Sequence, residues 1–132
     1  MLYSEEKVKH VVDFIRQLKH TKGKWAGQPF ELIPWELDLI KQTFGTLRED
    51  GTRQYRTVYT EIGKKNGKSS IAAAIALYML LADGEPNAEV YVAACDRQQA
   101  SIIFNTSVNF VEGNQTLSRV TKTIMSTKRI VY

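Results

Sequence analysis

Apolar residues recur with helical spacing at the start of the chain. Val8, Val11, Val12, Ile15 and Leu18 fall on one face, behind Ser4 as a cap and Glu5 and Glu6 in the first turn. Lys19 and His20 suit the negative C-terminal end of that helix. From Thr21 to Pro34 the spacing breaks down into Gly23, Gly27, Pro29 and Pro34 interleaved with Trp25, Phe30 and Leu32. A loop carrying apolar groups this large must pack on something. A second helix is predicted from Pro34 to Phe44, with proline at its first position, Glu36 and Asp38 near its positive end and Gly45 closing it.

A polar turn around Asp50-Gly51 follows, after which Tyr55 to Ile62 is rich in β-branched and aromatic residues and predicts a strand. Ser70 to Leu81 is apolar on most sides, as a buried helix is. Glu89 to Ala94 predicts a short apolar strand, and Asp96 with Gln99 predicts the cap of a helix whose inner face is Ala100, Ile103, Phe104, Ser107 and Val111. Leu117 to Tyr132 alternates weakly and predicts one or two strands. The order strand, helix, strand, helix is that of an α/β fold with parallel strands and flanking helices, here preceded by two N-terminal helices.

Composition fits a packed domain: 132 residues, 43% of them apolar and 24% charged. Eighteen Lys and Arg against fourteen Asp and Glu give a net charge of +4, which permits an anionic partner. No apolar run is long enough for a membrane span, the N-terminus lacks a signal h-region, and one cysteine makes no internal disulfide. An intracellular, reducing compartment is expected, and no membrane partner.

The strongest chemical signal lies between the first predicted strand and the helix after it: Gly63-Lys64-Lys65-Asn66-Gly67-Lys68-Ser69. A strand-loop-helix context aims the free N–H groups of a helix start at one point, where a phosphate fits. Gly67 lets the backbone approach phosphate oxygens, Lys68 supplies a cation for the terminal phosphates, and Ser69, followed by Ser70, has the hydroxyl that ligates Mg2+. The usual spacing puts a first glycine five positions before Gly67, and Ile62 stands there, so the loop is a variant form. Elsewhere such a string would be a basic surface turn; its setting favours ATP and Mg2+.

The chain resembles the large terminase subunit of tailed bacteriophages over nearly its whole length. The likeness rests on five blocks in order: residues 20–30, beginning His20-Thr21-Lys22-Gly23-Lys24-Trp25; Leu32-Ile33-Pro34-Trp35; Asp50 to Arg56; Lys64 to Ser69; and Val90 to Ala94 leading to Asp96-Arg97-Gln98-Gln99-Ala100. The resemblance implies a partial P-loop NTPase core, with residues 1–47 as leading helices and aromatic loop and 48–132 as the start of the core, together one domain that forms the N-terminal part of an ATPase domain. The family tolerates the short loop, with a basic residue after its first position as a sensor of the terminal phosphate; Lys64 holds that place. By position Glu36, after Trp35, takes the role of the residue that reads adenine, and Gln28 is the substitute, since a carboxylate lacks the donor of an amide. In the intact protein the resemblance implies ATP hydrolysis coupled to packaging of double-stranded viral DNA into the procapsid. It also implies portal and small terminase subunit as partners, homo-oligomer formation, a downstream nuclease domain, and residence in the cytoplasm of the host cell of a phage or prophage.

Hydrolysis in this class needs an apolar strand ending in Asp-Glu. No such pair follows an apolar strand here: Asp83 is expected to be a solvated helix-end residue, and Asp96, followed by Arg97, a helix cap. The catalytic acid is therefore expected downstream of Tyr132, leaving the chain catalytically incomplete. His10 and His20 are expected on exposed surface and Cys95 as a packed small residue. The lysines at 7, 9, 19, 22 and 24 either face DNA phosphate or form a solvated face. Two other classes fit the residues as alternatives: a small P-loop phosphotransferase, and a non-catalytic remnant that binds DNA or a capsid partner.

Overall fold

The computed structural model describes residues 2–19, 28–61, 68–94, 96–125 and 128–132; of Lys68 and Arg97 it describes the helical backbone alone. The elements, in chain order, are β1 (Leu2–Tyr3), α1 (Glu5–Arg16), α2 (Pro34–Ile40), a π-helical turn (Lys41–Gly45), β2 (Thr46–Leu47), α3 (Lys68–Leu81), α4 (Arg97–Glu112), α5 (Gln115–Val120), β3 (Lys122–Ile124) and β4 (Arg129–Val131).

Helix α1 starts as its sequence dictates, with the Ser4 hydroxyl accepting from the Lys7 N–H at 3.2 Å. It ends at Arg16, short of His20, yet Leu18 beyond it is fully buried. A turn folds Leu18 back: its N–H donates to the Ile15 carbonyl at 3.0 Å, and its own carbonyl accepts from the Phe30 N–H at 2.8 Å. The described end of the aromatic loop thus packs on the core. Phe30 is buried and meets Phe110 of α4 edge to face, centroids 5.8 Å apart.

Helix α2 begins at Pro34, where the missing N–H costs nothing. Its last turn widens into the π form and delivers Phe44 and Gly45 to the interior. The Gly45 carbonyl accepts from the Ser4 N–H at 2.9 Å, bringing β1 alongside β2 in an antiparallel pair with Leu2 opposite Leu47 and Tyr3 opposite Thr46.

Helix α3 is the centre of the core. Ile71, Ala73, Ala74, Leu77 and Tyr78 are buried and join Val8, Val11 and Ile15 of α1 with Phe110 and Val111 of α4 in one cluster. Its alanines admit neighbouring backbones closely. The chain leaves α3 through Gly84 at φ +83°, a left-handed turn that glycine adopts without strain. Asp96 caps α4 as predicted, accepting from the Gln99 N–H at 2.8 Å. The buried face of α4 runs through Ser107, Val108, Phe110 and Val111, while Ala100, Ile103 and Phe104 are half-buried.

Three expected segments differ from the elements observed. Tyr55 to Glu61 and Glu89 to Ala94, predicted as parallel strands, enter no ladder among the described residues, and all these positions are exposed, Tyr59 at 84% and Tyr91 at 82%. β-branched and aromatic content marks a segment that packs well on a pleated surface, but a strand exists only where a neighbour takes its N–H and C=O groups. The observed sheets are two short antiparallel pairs: β1 with β2, and β3 with β4, the second with Thr123 opposite Ile130. Finally, Leu117 to Val120 is helical, because Asn114 caps a new helix by accepting from the Leu117 N–H at 3.1 Å; strand structure starts only at Lys122.

Candidate functional site

The start of α3 is the described part of the site predicted from sequence. The helix begins at Lys68, with Ser69 and Ser70 half-buried in its first turn and no acidic residue there. The first turn of a helix presents N–H groups and a partial positive charge to an anion. Gly63, Lys64, Asn66 and Gly67 lie outside the described residues, as do Trp25, His20 and Cys95.

The other predicted site residues occupy the α2 side. Gln28 is exposed. Trp35 is partly buried against the core cluster. Glu36 is buried, 4% exposed, and its Oε1 accepts from the Ile33 N–H at 3.1 Å, which makes it the reciprocal cap of α2. Burial pushes its carboxyl above the ordinary glutamate value, and the Ile33 N–H pulls the other way more weakly. Among the described residues, no hydrogen bond joins Gln28, Trp35 or Glu36 to Ser69 or Ser70. Nor does any group of three or more His, Cys, Asp or Glu among them suit a metal ion.

At the opposite end of α3 stands a polar cluster absent from the sequence reading. Arg53 and Asp83 form a bidentate pair, Nη1 to Oδ1 at 2.8 Å and Nη2 to Oδ2 at 3.1 Å. The Asp83 side chain is 14% exposed, so it is not the solvated helix-end group expected of it. The Arg53 guanidinium lies 5.5 Å from the Phe44 ring centroid, and Phe44 meets Tyr78 edge to face at 5.4 Å. His10, exposed as expected, shares a 2.8 Å hydrogen bond between Nδ1 and the Tyr78 hydroxyl. These groups line an open cleft of about 510 Å³. No spacing rule relates residues 10, 53, 78 and 83; the nearest sequence signal was the polar turn that delivers Arg53. Of the basic α1 residues, Lys7 and Lys9 are exposed, and Lys9 pairs with Asp13 at 2.6 Å.

Helix α3 opens with Lys-Ser-Ser, and in the sequence a glycine- and lysine-rich stretch stands directly before it. The family model of the terminase large subunit ATPase domain matches residues 34–131, and the chain belongs to that family. It is 30% identical over 111 residues to the large terminase subunit of Enterobacteria phage HK97, covering 83% of this chain and 21% of that one. The crystal structure of the HK97 bacteriophage large terminase superposes with a TM-score of 0.73 at 27% identity, over 99% of this chain and 25% of that one. The chain thus spans about a fifth to a quarter of the length of the relatives it matches. Among the described residues no helix is long and apolar enough to cross a membrane.

Proposed function

We propose that the chain is the nucleotide-binding part of a phage terminase large subunit, one domain within a longer protein that couples ATP hydrolysis to packaging of double-stranded viral DNA into the procapsid. The carrying observation is the start of α3 at Lys68, directly after the Gly63 to Gly67 loop, with Ser69 and Ser70 in the first turn. Those residues suit the group: the helix start offers N–H donors, Ser69 and Ser70 add two hydroxyls, and the first turn carries no acidic residue.

Lys68 neutralises the terminal phosphates, Ser69 holds Mg2+, Gly63, Asn66 and Gly67 shape the loop, and Lys64 senses the terminal phosphate. Bound Mg·ATP supplies the phosphoryl chemistry. Trp35, with Glu36 or Gln28, faces the base. Residues 55–61 and 89–94 serve as strands of a parallel sheet when partners take their backbone groups, which accounts for the exposed apolar side chains they carry. The catalytic acid comes from a part of the longer protein outside this chain. Viral DNA, portal and small terminase subunit are the partners, the intact protein is a homo-oligomer, and it works in the cytoplasm of the host cell.

Titrating this chain with Mg·ATP, and its Lys68→Ala variant beside it, tests the reading. Binding by the first and its loss by at least about tenfold in the second, equivalent to 1.4 kcal/mol, is expected. Equal affinities for the two proteins, or no binding by either, would overturn it.

A further inference from the structure

The Arg53–Asp83 pair joins two points that bracket the predicted phosphate site: Arg53 stands just before residues 55–61, and Asp83 just after α3. Between them lie the segment entering the loop, the loop itself and the whole helix leaving it. Arg53 is itself held: it bridges Leu47, and the Gln54 N–H donates to the Thr46 carbonyl at 3.0 Å. The pair therefore ties the far end of α3 to β2, Phe44 and the β1 edge.

We propose that Arg53 and Asp83 are positioning residues that hold the register and tilt of α3, and so determine where its first turn presents N–H groups and Ser69 to a nucleoside triphosphate. This deepens the proposed function and rests on it. The His10–Tyr78 hydrogen bond is one directional tie on α3, and most of its remaining contacts are apolar. Ala72, Ala73, Ala74 and Ala76 present small side chains, and apolar contact is non-directional. A bidentate guanidinium–carboxylate pair is directional, and here the carboxylate is largely withdrawn from water while the guanidinium side chain is half-buried. Fourteen residues make α3 a lever about 21 Å long. A tilt of about 5° at its base moves its tip by about 2 Å, several times the ~0.5 Å within which a binding constellation must be held.

The test is a cycle of Arg53→Gln, Asp83→Asn and the double variant, with Arg53→Lys as a milder change that keeps the charge and loses the fork. The dissociation constant for Mg·ATP is read at a temperature where circular dichroism shows full helix content in every protein, and Tm is recorded separately. Each single change is expected to weaken binding about tenfold, and the double change by about the same factor, because the two groups act as one unit. Arg53→Lys is expected to weaken binding as well. Affinity equal to the parent's in folded variants, with only Tm lowered, would reduce the pair to a structural one; so would losses that multiply in the double variant. If the unsubstituted chain shows no Lys68-dependent binding, the proposed function fails and this inference with it. If it shows that binding but the pair variants match it, this inference alone fails.

Discussion

His10 and Tyr78 are 68 positions apart in sequence, and a 2.8 Å hydrogen bond between the imidazole Nδ1 and the phenol hydroxyl joins α1 to α3. Tyr78 is otherwise a core residue, 5% exposed, with Phe14 and Phe44 edge to face on its ring at centroid distances of 5.6 and 5.4 Å. The hydroxyl and the ring therefore contribute separately. Tyr78→Phe keeps the ring contacts and loses the bond, an expected cost of about 0.5–1.5 kcal/mol. Tyr78→Ala empties the centre of the aromatic group and is expected to cost about 3–5 kcal/mol. Urea denaturation of the two variants checks the ordering; equal costs would mean that the ring contributes nothing beyond the bond.

Gly45 stands where any side chain collides: a Cβ would lie 2.7 Å from Tyr3 Cε2 and 2.7 Å from Val8 Cγ2. Gly51 is the opposite case, open on all sides but at φ +86°. Gly45→Ala should destabilise through overpacking by about 1–3 kcal/mol. Gly51→Ala should cost about 1–2 kcal/mol through its backbone alone. Trimming Tyr3→Ala discriminates the causes. It should recover part of the Gly45→Ala loss and leave the Gly51→Ala loss unchanged, as measured by thermal melts of the double variants.

Burial raises the Glu36 carboxyl above the ordinary glutamate value, so the folded protein holds that proton more tightly than the unfolded chain. Its contribution to stability is fully present below the unfolded value and is lost as pH rises through the folded one. Glu36→Gln keeps an oxygen for the Ile33 N–H and removes the titration. The stability difference, variant minus parent, should therefore grow in the variant's favour from the ordinary glutamate value upward and level off once the raised value is passed. Denaturant midpoints at a series of pH values would reveal it, and a flat difference would contradict the buried-carboxylate account.

Ser69, half-buried in the first turn of α3, is the proposed Mg2+ ligand. Ser69→Ala should leave nucleotide binding in chelator unchanged and abolish the gain that Mg2+ brings. Losing one contact to a charged group corresponds to about 1.5–3 kcal/mol, roughly ten- to a hundredfold in affinity. Calorimetric titrations with and without Mg2+ measure both quantities. A variant that still gains affinity with Mg2+ would place the metal elsewhere.

Local rules carried far in this chain. Ser4 and Asp96 as caps, Pro34 at a helix start, the periodicity of Val8, Val11 and Ile15, and the buried character of α3 are properties of a few adjacent residues, and each stands where the sequence puts it. So is the order glycine, lysine, serine at residues 67–69, one of the five blocks in order on which the family resemblance rests. What depended on distant neighbours did not follow. Tyr55 to Glu61 has strand composition but no ladder among the described residues, since pairing belongs to two segments at once. Leu117 became helical because Asn114 supplied a cap that a weak alternation did not foretell.

Residue order alone set the caps and the helical faces, and it places Gly67, Lys68 and Ser69 in a row, because hydrogen-bonding capacity and apolar spacing act over a turn or two of chain. Only the tertiary structure decided that Asp83 faces Arg53 rather than water, that Tyr78 meets His10, and that Glu36 is buried. Those relationships arise when elements tens of residues apart are brought within a hydrogen-bond length, and the low dielectric of the space they share sets what each charge does there.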